Sequence, residues 1–538
     1  VSKPKTEKPR VVDAAPAPSR EWAPELDEIA QRQEIAHQLG GAESVARQHS
    51  LGKMTVRERI DCLLDKGSFR EFGALTGKVT YGKDGARENF TPSNSVVGLG
   101  QIDKRKVCIS ADDFTIRGGS SESTNSDKWI YIERFALETK TPLVRLVDTA
   151  GGSVKLLDQQ QATKIPGYNN WPVVPLLDSV PVVGVAMGSC AGLGAFKVLA
   201  SHFSIMVRDT SQVFAAGPPV VKQAFGVDID KNSLGGYEIH SRHSGIVDNE
   251  AEDEADALRQ AQRFVSYMPR NIWSEPPRTA CNDDPTREEP WLDDAIPRDR
   301  RKAFDPRKIL EAVLDRDSFF EIGRYHGKSI ITGLARLNGV PVGIMASDPR
   351  SHAGSMTVQA ANKCERLIEV CDLFHLPIVN FVDQPGNMTG LEAEMAGTLL
   401  GAVRVFKMIE RVRTPWVSIM MRRAFGLAGG LHGPQYGMTG LALNHRFAWP
   451  SARWGSIPIE GGVAAAYRRD IEGADDPTER RRELEEHYNR LGSPFRTAER
   501  FGIVDIIAPR TTRRVLCEWM DDCAEMIRMQ AAGLPHRR

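Results

Sequence analysis

What this 538-residue sequence does without already narrows what it can be. Its eight cysteines, at 62, 108, 190, 281, 364, 371, 517 and 523, include no Cys-x-x-Cys pair, so neither a zinc ribbon nor a disulfide framework is indicated and they read as reduced packing residues. Seventy basic residues cancel 70 acidic ones, which removes the charge surplus that nucleic-acid or membrane-surface binding needs. No apolar run is long enough to cross a bilayer and no signal-peptide pattern opens the sequence; a soluble, cytoplasmic protein without nucleic-acid or membrane partners is the expectation. A glycine-rich phosphate loop is also missing. His240 and His243 have no cysteine or acid cluster at ligand spacing beside them, so no bound metal is expected and both read as ordinary polar contacts.

What is present is organised around two stretches, Val182 to Ala195 and Trp416 to Gly429. Each reads as a buried strand rich in Val, Ile and Met that runs into a tight glycine turn opening a helix. Such a turn exposes backbone N–H groups with little side chain in the way, and the helix start favours negative charge there, so each turn can hold an oxyanion or a polarised carbonyl. One such turn would be an ordinary strand-to-helix connection. The pair gains weight because its surroundings repeat: the interval from Gly98 to Gly333 is the same as that from Asp148 to Asp383, and the interval from Gly192 to Gly426 is shorter by a single position. Val96 to Ile102 matches Ile331 to Leu337, Lys128 matches Lys363, and Thr141 to Asp148 matches Leu376 to Asp383. A period this long means a duplicated domain, which agrees with a length beyond one hydrophobic core.

In chain order, residues 1–22 are Lys, Pro, Ala and Ser-rich and are expected to be a disordered tail. Residues 23–94 form an extension of the first domain, amphipathic at first and with a capped helix start at Thr55. The first core, 95–268, carries strands near 96–102, 107–111, 143–147, 182–187 and 203–207 between helices, which predicts a mainly parallel, covered sheet in an α/β domain. A polar, proline-rich stretch, 269–305, has linker composition, and 306–538 holds the second core, interrupted by a charged helical insertion from Asp475 to Tyr488. Asp148 and Asp383 end corresponding strands and are expected to cap helices or orient loops.

Taken together, the motifs resemble the carboxyltransferase (beta) subunits of biotin-dependent acyl-CoA carboxylases, of the propionyl-CoA and methylcrotonyl-CoA carboxylase kind. The resemblance rests on Gly52 to Asp61, Asp112 to Ser120, Met187 to Gly192, Val207 to Ser211, Leu234 to Gly236, Phe381 to Gly386 and Ala448 to Pro450, in that order and spacing. It implies two tandem crotonase-like (ClpP/crotonase) domains, active sites shared between neighbouring chains, and a homo-oligomer, a hexamer. It also implies that a partner biotin carboxylase or biotin carboxyl carrier subunit delivers carboxybiotin and that a coenzyme A thioester is the substrate; no Met-Lys-Met biotin attachment site occurs in this chain. The donors it implies are the N–H groups of Gly192 and Leu193 in the first turn and of Leu427 and Ala428 in the second. Gly118, Gly119, Gly151, Gly152 and Ser153 fall where coenzyme A is held, and Gly386, Asn387, Phe425 and Gly430 where the acyl and biotin groups meet. No side-chain base is implied.

The sequence departs from that family near the expected acyl and biotin sites, which marks either an unusual substrate or neutral drift in loops. The loop after Asp148 reads Thr149-Ala150-Gly151-Gly152-Ser153-Val154-Lys155 in place of Ser-Gly-Gly-Ala-Arg-Ile-Gln, and Leu193 and Leu427 replace the second glycine of each turn. Asn387 replaces an aromatic residue and Gly430 an acidic one. A decarboxylase component of the same superfamily and a non-catalytic scaffold subunit are the alternative readings.

Overall fold

The computed structural model describes residues 21–162, 167, 170–299, 302–434 and 443–533, so nearly all of the expected tail lies outside the described residues. The first half is built on strands β1 (Arg70–Phe72), β2 (Gly77–Tyr81), β3 (Arg87–Pro92), β4 (Ser95–Ile102), β5 (Arg105–Asp112), β6 (Leu143–Thr149), β7 (Val182–Ala191), β8 (Phe203–Val207), β9 (Gln212–Phe214) and β10 (Asn249–Ala251). The second half uses β11 (Phe320–Ile322), β12 (Ile330–Leu337), β13 (Val340–Ser347), β14 (Ile378–Gln384), β15 (Trp416–Phe425), β16 (Asn444–Ala448), β17 (Arg453–Gly455) and β18 (Asp505–Ile506). The first sheet has the order β1-β4-β5-β6-β7-β8-β10 with β9 alongside β7; the second has β11-β12-β13-β14-β15-β16-β18 with β17 alongside β15.

The duplication survives residue by residue. β4 pairs antiparallel with β5 from Ser95 opposite Asp112, and β12 pairs with β13 in the same register, from Ile330 opposite Ser347. The β6–β7 ladder slips between Val147 and Thr149, and the β14–β15 ladder slips between Val382 and Gln384. The central strands are parallel and buried on both faces, which is why they read as near-continuous apolar runs.

A seam of aromatic residues closes one half on the other. Phe203 stacks on Phe264 with ring centroids 4.9 Å apart and meets Phe320 edge-on at 5.5 Å, while Tyr267 stacks on Phe320. Polar ties flank the seam: Arg366 Nε lies 2.6 Å from Asp248 Oδ1, and the Gly323 N–H donates to Asn249 Oδ1 at 2.9 Å. The proline-rich stretch from 269 is docked on the second half, with Thr279 N–H on the Gly339 carbonyl and the buried Arg513 guanidinium on the carbonyls of Asp283 and Asp284. The helix Pro477–Leu491, capped by Asp476, is the expected solvated insertion. Thr55 and Glu58 form the capping box that starts the helix Val56–Leu63.

Candidate active site

β7 and β15 end in matching turns at glycines with left-handed φ, 56° at Gly192 and 63° at Gly426, which a side chain would strain. Short helices follow, Leu193–Leu199 and Gly426–Gly429. The Gly192 N–H, expected to be a free donor, is taken by the Phe214 carbonyl at 3.1 Å. Leu193 and Gly194, and likewise Leu427 and Ala428, lie in the first turn of their helices, where an N–H has no intrahelical acceptor, and no turn or loop carbonyl takes them among the described residues. Once Gly192 is set against Gly426, Leu193 and Gly194 are the counterparts of Leu427 and Ala428. The outward donor pair of the first turn therefore sits one position later than the expected Gly192 and Leu193. Leu427 is largely exposed and Leu193 half-buried, so the second turn carries its added bulk into the open.

A loop from the preceding strand comes up against each turn. In the first half, Gly151 approaches the Ala191 carbonyl so closely that a Cβ there would stand 3.0 Å from it. Gly386 is its counterpart in the second half and lies under the carbonyl of the buried Phe425, which a Cβ would meet at 4.0 Å. Gly151 accepts from Ser121 N–H and Gly386 from Met356 N–H, each at 3.0 Å, with donors that correspond to each other as the acceptors do. Gly152 and Asn387 are the next residues in each loop, and Asn387 Oδ1 is buried with no hydrogen-bond partner among the described residues. Ser153 is fixed by its N–H to Ser121 Oγ at 3.0 Å and its hydroxyl to Glu122 at 2.6 Å. Behind the first loop Gly118 and Gly119, both left-handed, accept from Ala150 N–H at 3.0 Å and from the Thr149 hydroxyl at 2.6 Å. His352, Ala353 and Gly354 repeat this left-handed turn in the second half. Gly430 closes the second turn by donating its N–H to the Leu427 carbonyl at 2.9 Å. The expected site residues thus group about two turns, one in each half, each with a loop beside it and a left-handed turn behind that loop.

Asp148 and Asp383 cap nothing. Each is fully buried and centres an ion-pair cluster. Asp148 Oδ2 receives Lys53 Nζ at 2.6 Å and Arg59 Nη1 at 3.0 Å; Arg59 also holds Glu254 at 2.6 Å and the Met187 carbonyl at 3.1 Å. Burial acts to lower the Arg59 pKa, but Asp148 and Glu254 more than offset it and push it up, so the guanidinium stays charged. Asp383 is gripped by Arg422 Nη2 at 2.7 Å and Arg423 Nε at 2.7 Å. A carboxylate removed from water is tolerable only when paired in this manner. These partners were missed in the sequence, although two arginines side by side in an otherwise apolar strand were a readable signal for the second cluster. Cys190, inside the first turn motif, is inert: burial pushes its thiol well above the usual range and it points at the Val147 carbonyl. His240 makes the expected polar contacts, to the Val213 carbonyl and Ser244 Oγ.

Chemically, two sets of preorganised amides can stabilise two developing negative charges. Comparison with known proteins agrees. The carboxyl transferase domain family matches residues 47–528. The chain is 34% identical over 495 residues to the propionyl-CoA carboxylase carboxyltransferase subunit of Haloferax mediterranei, covering 91% of this chain and 94% of that one. It is 30% identical over 481 residues to the methylmalonyl-CoA decarboxylase subunit alpha of Veillonella parvula, covering 88% and 91%. The solved hexameric transcarboxylase 12S with methylmalonyl-coenzyme A bound superposes with a TM-score of 0.83 at 30% identity, covering 93% of this chain and 95% of that one. With its crotonase-like duplicated fold and these relatives, the chain belongs to the carboxyl transferase domain family and is a carboxyltransferase of the biotin-dependent acyl-CoA carboxylase group.

Proposed function

We propose that this chain moves a carboxyl group from carboxybiotin, brought by a separate carrier subunit, to the α-type or vinylogous carbon of an acyl-CoA. The observation that carries this reading is the pair of clefts, each presenting two amides without an acceptor among the described residues. Carboxyl transfer builds charge on a thioester oxygen and on a ureido oxygen, so two oxyanion sites match the two partners. Leu193 and Gly194 hold one and Leu427 and Ala428 the other. Carboxybiotin, when delivered, would supply the carboxyl group, and the residues of the second turn suit a ureido ring: the Leu427 and Ala428 amides would hold its oxygen and Asn387 Oδ1 would accept from a ring N–H. Gly151, Gly152 and Ser153, backed by Gly118 and Gly119, are assigned to coenzyme A. Gly386, Asn387, Phe425 and Gly430 are assigned to the acyl and biotin meeting point. The working form is a cytoplasmic homo-hexamer in which neighbouring chains complete each site, by analogy with the hexameric transcarboxylase 12S.

The test is co-purification with a biotinylated partner, followed by bicarbonate incorporation into short, branched and polar acyl-CoAs. ATP-dependent product with the partner and none without it is expected; covalent biotin on this chain by streptavidin blot would overturn the carrier assignment. A decarboxylase reading is favoured by the Veillonella parvula relative. Carboxyacyl-CoA decarboxylation with no ATP-dependent carboxylation in the same complex would establish it.

A further inference from the structure

We propose that Lys53, in the N-terminal extension, is a positioning residue for the first cleft, an inference that rests on the carboxyltransferase reading. Asp148 is the last buried carboxylate before the loop 149–153, and its Oδ2 carries both Lys53 and Arg59 while its Oδ1 has no hydrogen-bond partner. The two cations are not equivalent. Arg59 is fixed by Glu254 and the Met187 carbonyl whatever Asp148 does. The Lys53 ammonium has Asp148 as its ion-pair partner among the described residues, with the Phe114 ring 4.7 Å away as its other support. Its side chain is placed to hold Asp148.

The second half shows that this hold is part of the design. Position 188 is glycine, and a Cβ there would overlap the Asp148 carboxylate and the Lys53 ammonium. At the matching position of β15 stands Arg422, whose guanidinium reaches Asp383 at 2.7 Å. One half grows its cation from the turn strand; the other leaves a gap there and fills it with a lysine from far upstream of Asp148. Two independent solutions that put a cation on the same carboxylate point to a requirement of the loop that follows it. Asp148 is continuous with Thr149, Gly151 and Gly152, so freeing its carboxylate releases the loop from the Ala191 carbonyl and spoils the cleft. Lys53 touches no reacting atom.

The test uses the full-length, assembled protein with Lys53→Met and Lys53→Arg. Reverse transfer from methylmalonyl-CoA to free biotin is followed while each substrate is varied in turn. Lys53→Met is expected to lose about 10- to 100-fold in kcat/KM, the scale of a small misplacement of a positioned group. The loss should fall on the KM of one substrate, the one served by the first cleft, with the other KM unchanged, and Lys53→Arg should restore most of it. Amide hydrogen exchange reads the same device without turnover: residues 149–153 should exchange faster in Lys53→Met while 386–388 keep their rate. Unchanged kinetics with unchanged exchange overturns the proposal, as does a loss shared by both substrates together with faster exchange in both loops. A wild-type protein that transfers nothing sinks the carboxyltransferase reading instead, and the exchange data then still decide the role of Lys53. If Lys53→Met fails to assemble, Lys53→Gln, which keeps a hydrogen bond but no charge, is read by the same exchange criterion.

Discussion

In the first half of this molecule, the carboxylate that ends β6 is met by Lys53 and Arg59 from a segment before the sheet begins. In the second half, the carboxylate that ends β14 is met by Arg422 and Arg423 from the neighbouring strand itself. Position and depth of the two aspartates are the same, and the sources of positive charge are unrelated. The halves differ again one layer away. Arg145 in β6 pairs with Glu133 at 2.8 Å, while its counterpart Asn380 in β14 bonds the His432 ring at 2.9 Å, and His432 stands where the first half has Val198. Thr149 is satisfied by Gly119 and Gly151, whereas its counterpart Gln384 is fully buried with both amide atoms unpaired among the described residues. Backbone register and the glycine turns are thus the part of a duplicated domain that the fold cannot vary, because every ladder bond depends on them. Buried polar partners can be exchanged so long as each charge finds one.

The largest way to sharpen this comparison is to remove one cation from each cluster. Arg59→Met strips partners from two buried carboxylates, Asp148 and Glu254, and should cost about 3–5 kcal/mol of unfolding free energy. Arg423→Met leaves Asp383 with Arg422 and removes a partly exposed group, so its cost should be clearly smaller; equal losses in urea unfolding would show that the two clusters are energetically alike.

Next in size is the donor test. Ala428→Pro deletes a turn N–H that Ala428→Gly keeps, and should lower kcat by about 10²- to 10³-fold against a mild loss for glycine. Leu193→Pro against Leu193→Ala should behave likewise if both clefts work. Both proline variants must assemble like the parent for the comparison to count, and near-parental turnover in an assembled Ala428→Pro would take the second turn out of the mechanism.

A pH-dependent effect, small near neutrality, separates the halves. Burial first, then the Arg446 charge, lowers the His432 pKa from 6.5 to about 3, so the folded state holds the neutral ring. The stability tied to that neutral ring is fully present above pH 6.5 and is lost as pH falls from there toward 3, at about 1.4 kcal/mol per unit. His432→Val copies the first half and should unfold with a shallower acid dependence below pH 6.5, even though it removes the partner of Asn380. Parallel stability curves for parent and variant would contradict the assignment. The smallest expected change is in selectivity: Gly430→Asp should shift the kcat/KM ratio toward small acyl groups by about tenfold, and an unchanged ratio would mean that Gly430 does not line the pocket.

The sheets were legible because buried parallel strands advertise themselves as apolar runs and because the duplication gave each strand a second witness. The clefts were legible as glycine turns. What escaped was geometry that one residue decides. The repeat interval shortens by a single position between Asp148 and Gly192, and with that change the outward amides of the first turn move to Leu193 and Gly194 while Gly192 turns to Phe214. The capping reading of the aspartates failed because a cap is a local pattern, whereas Arg59 and Asp148 are 89 residues apart and no spacing rule joins them. The proline-rich stretch looked like a linker because its ties, to Gly339 and Arg513, are made by backbone groups that composition does not reveal.

The aromatic seam has a consequence for how the chain is made. Phe203 and Phe264 are synthesised well before Phe320 and the helix Val358–Leu373 that covers the same cluster. From Phe264 to the end of that helix is about 110 residues, which a ribosome adding about 5–20 residues per second takes about 5–20 seconds to supply. Throughout that interval the nascent first half carries an uncovered apolar face. Cutting the chain at the proline-rich stretch would yield two pieces that each expose apolar surface the other covers.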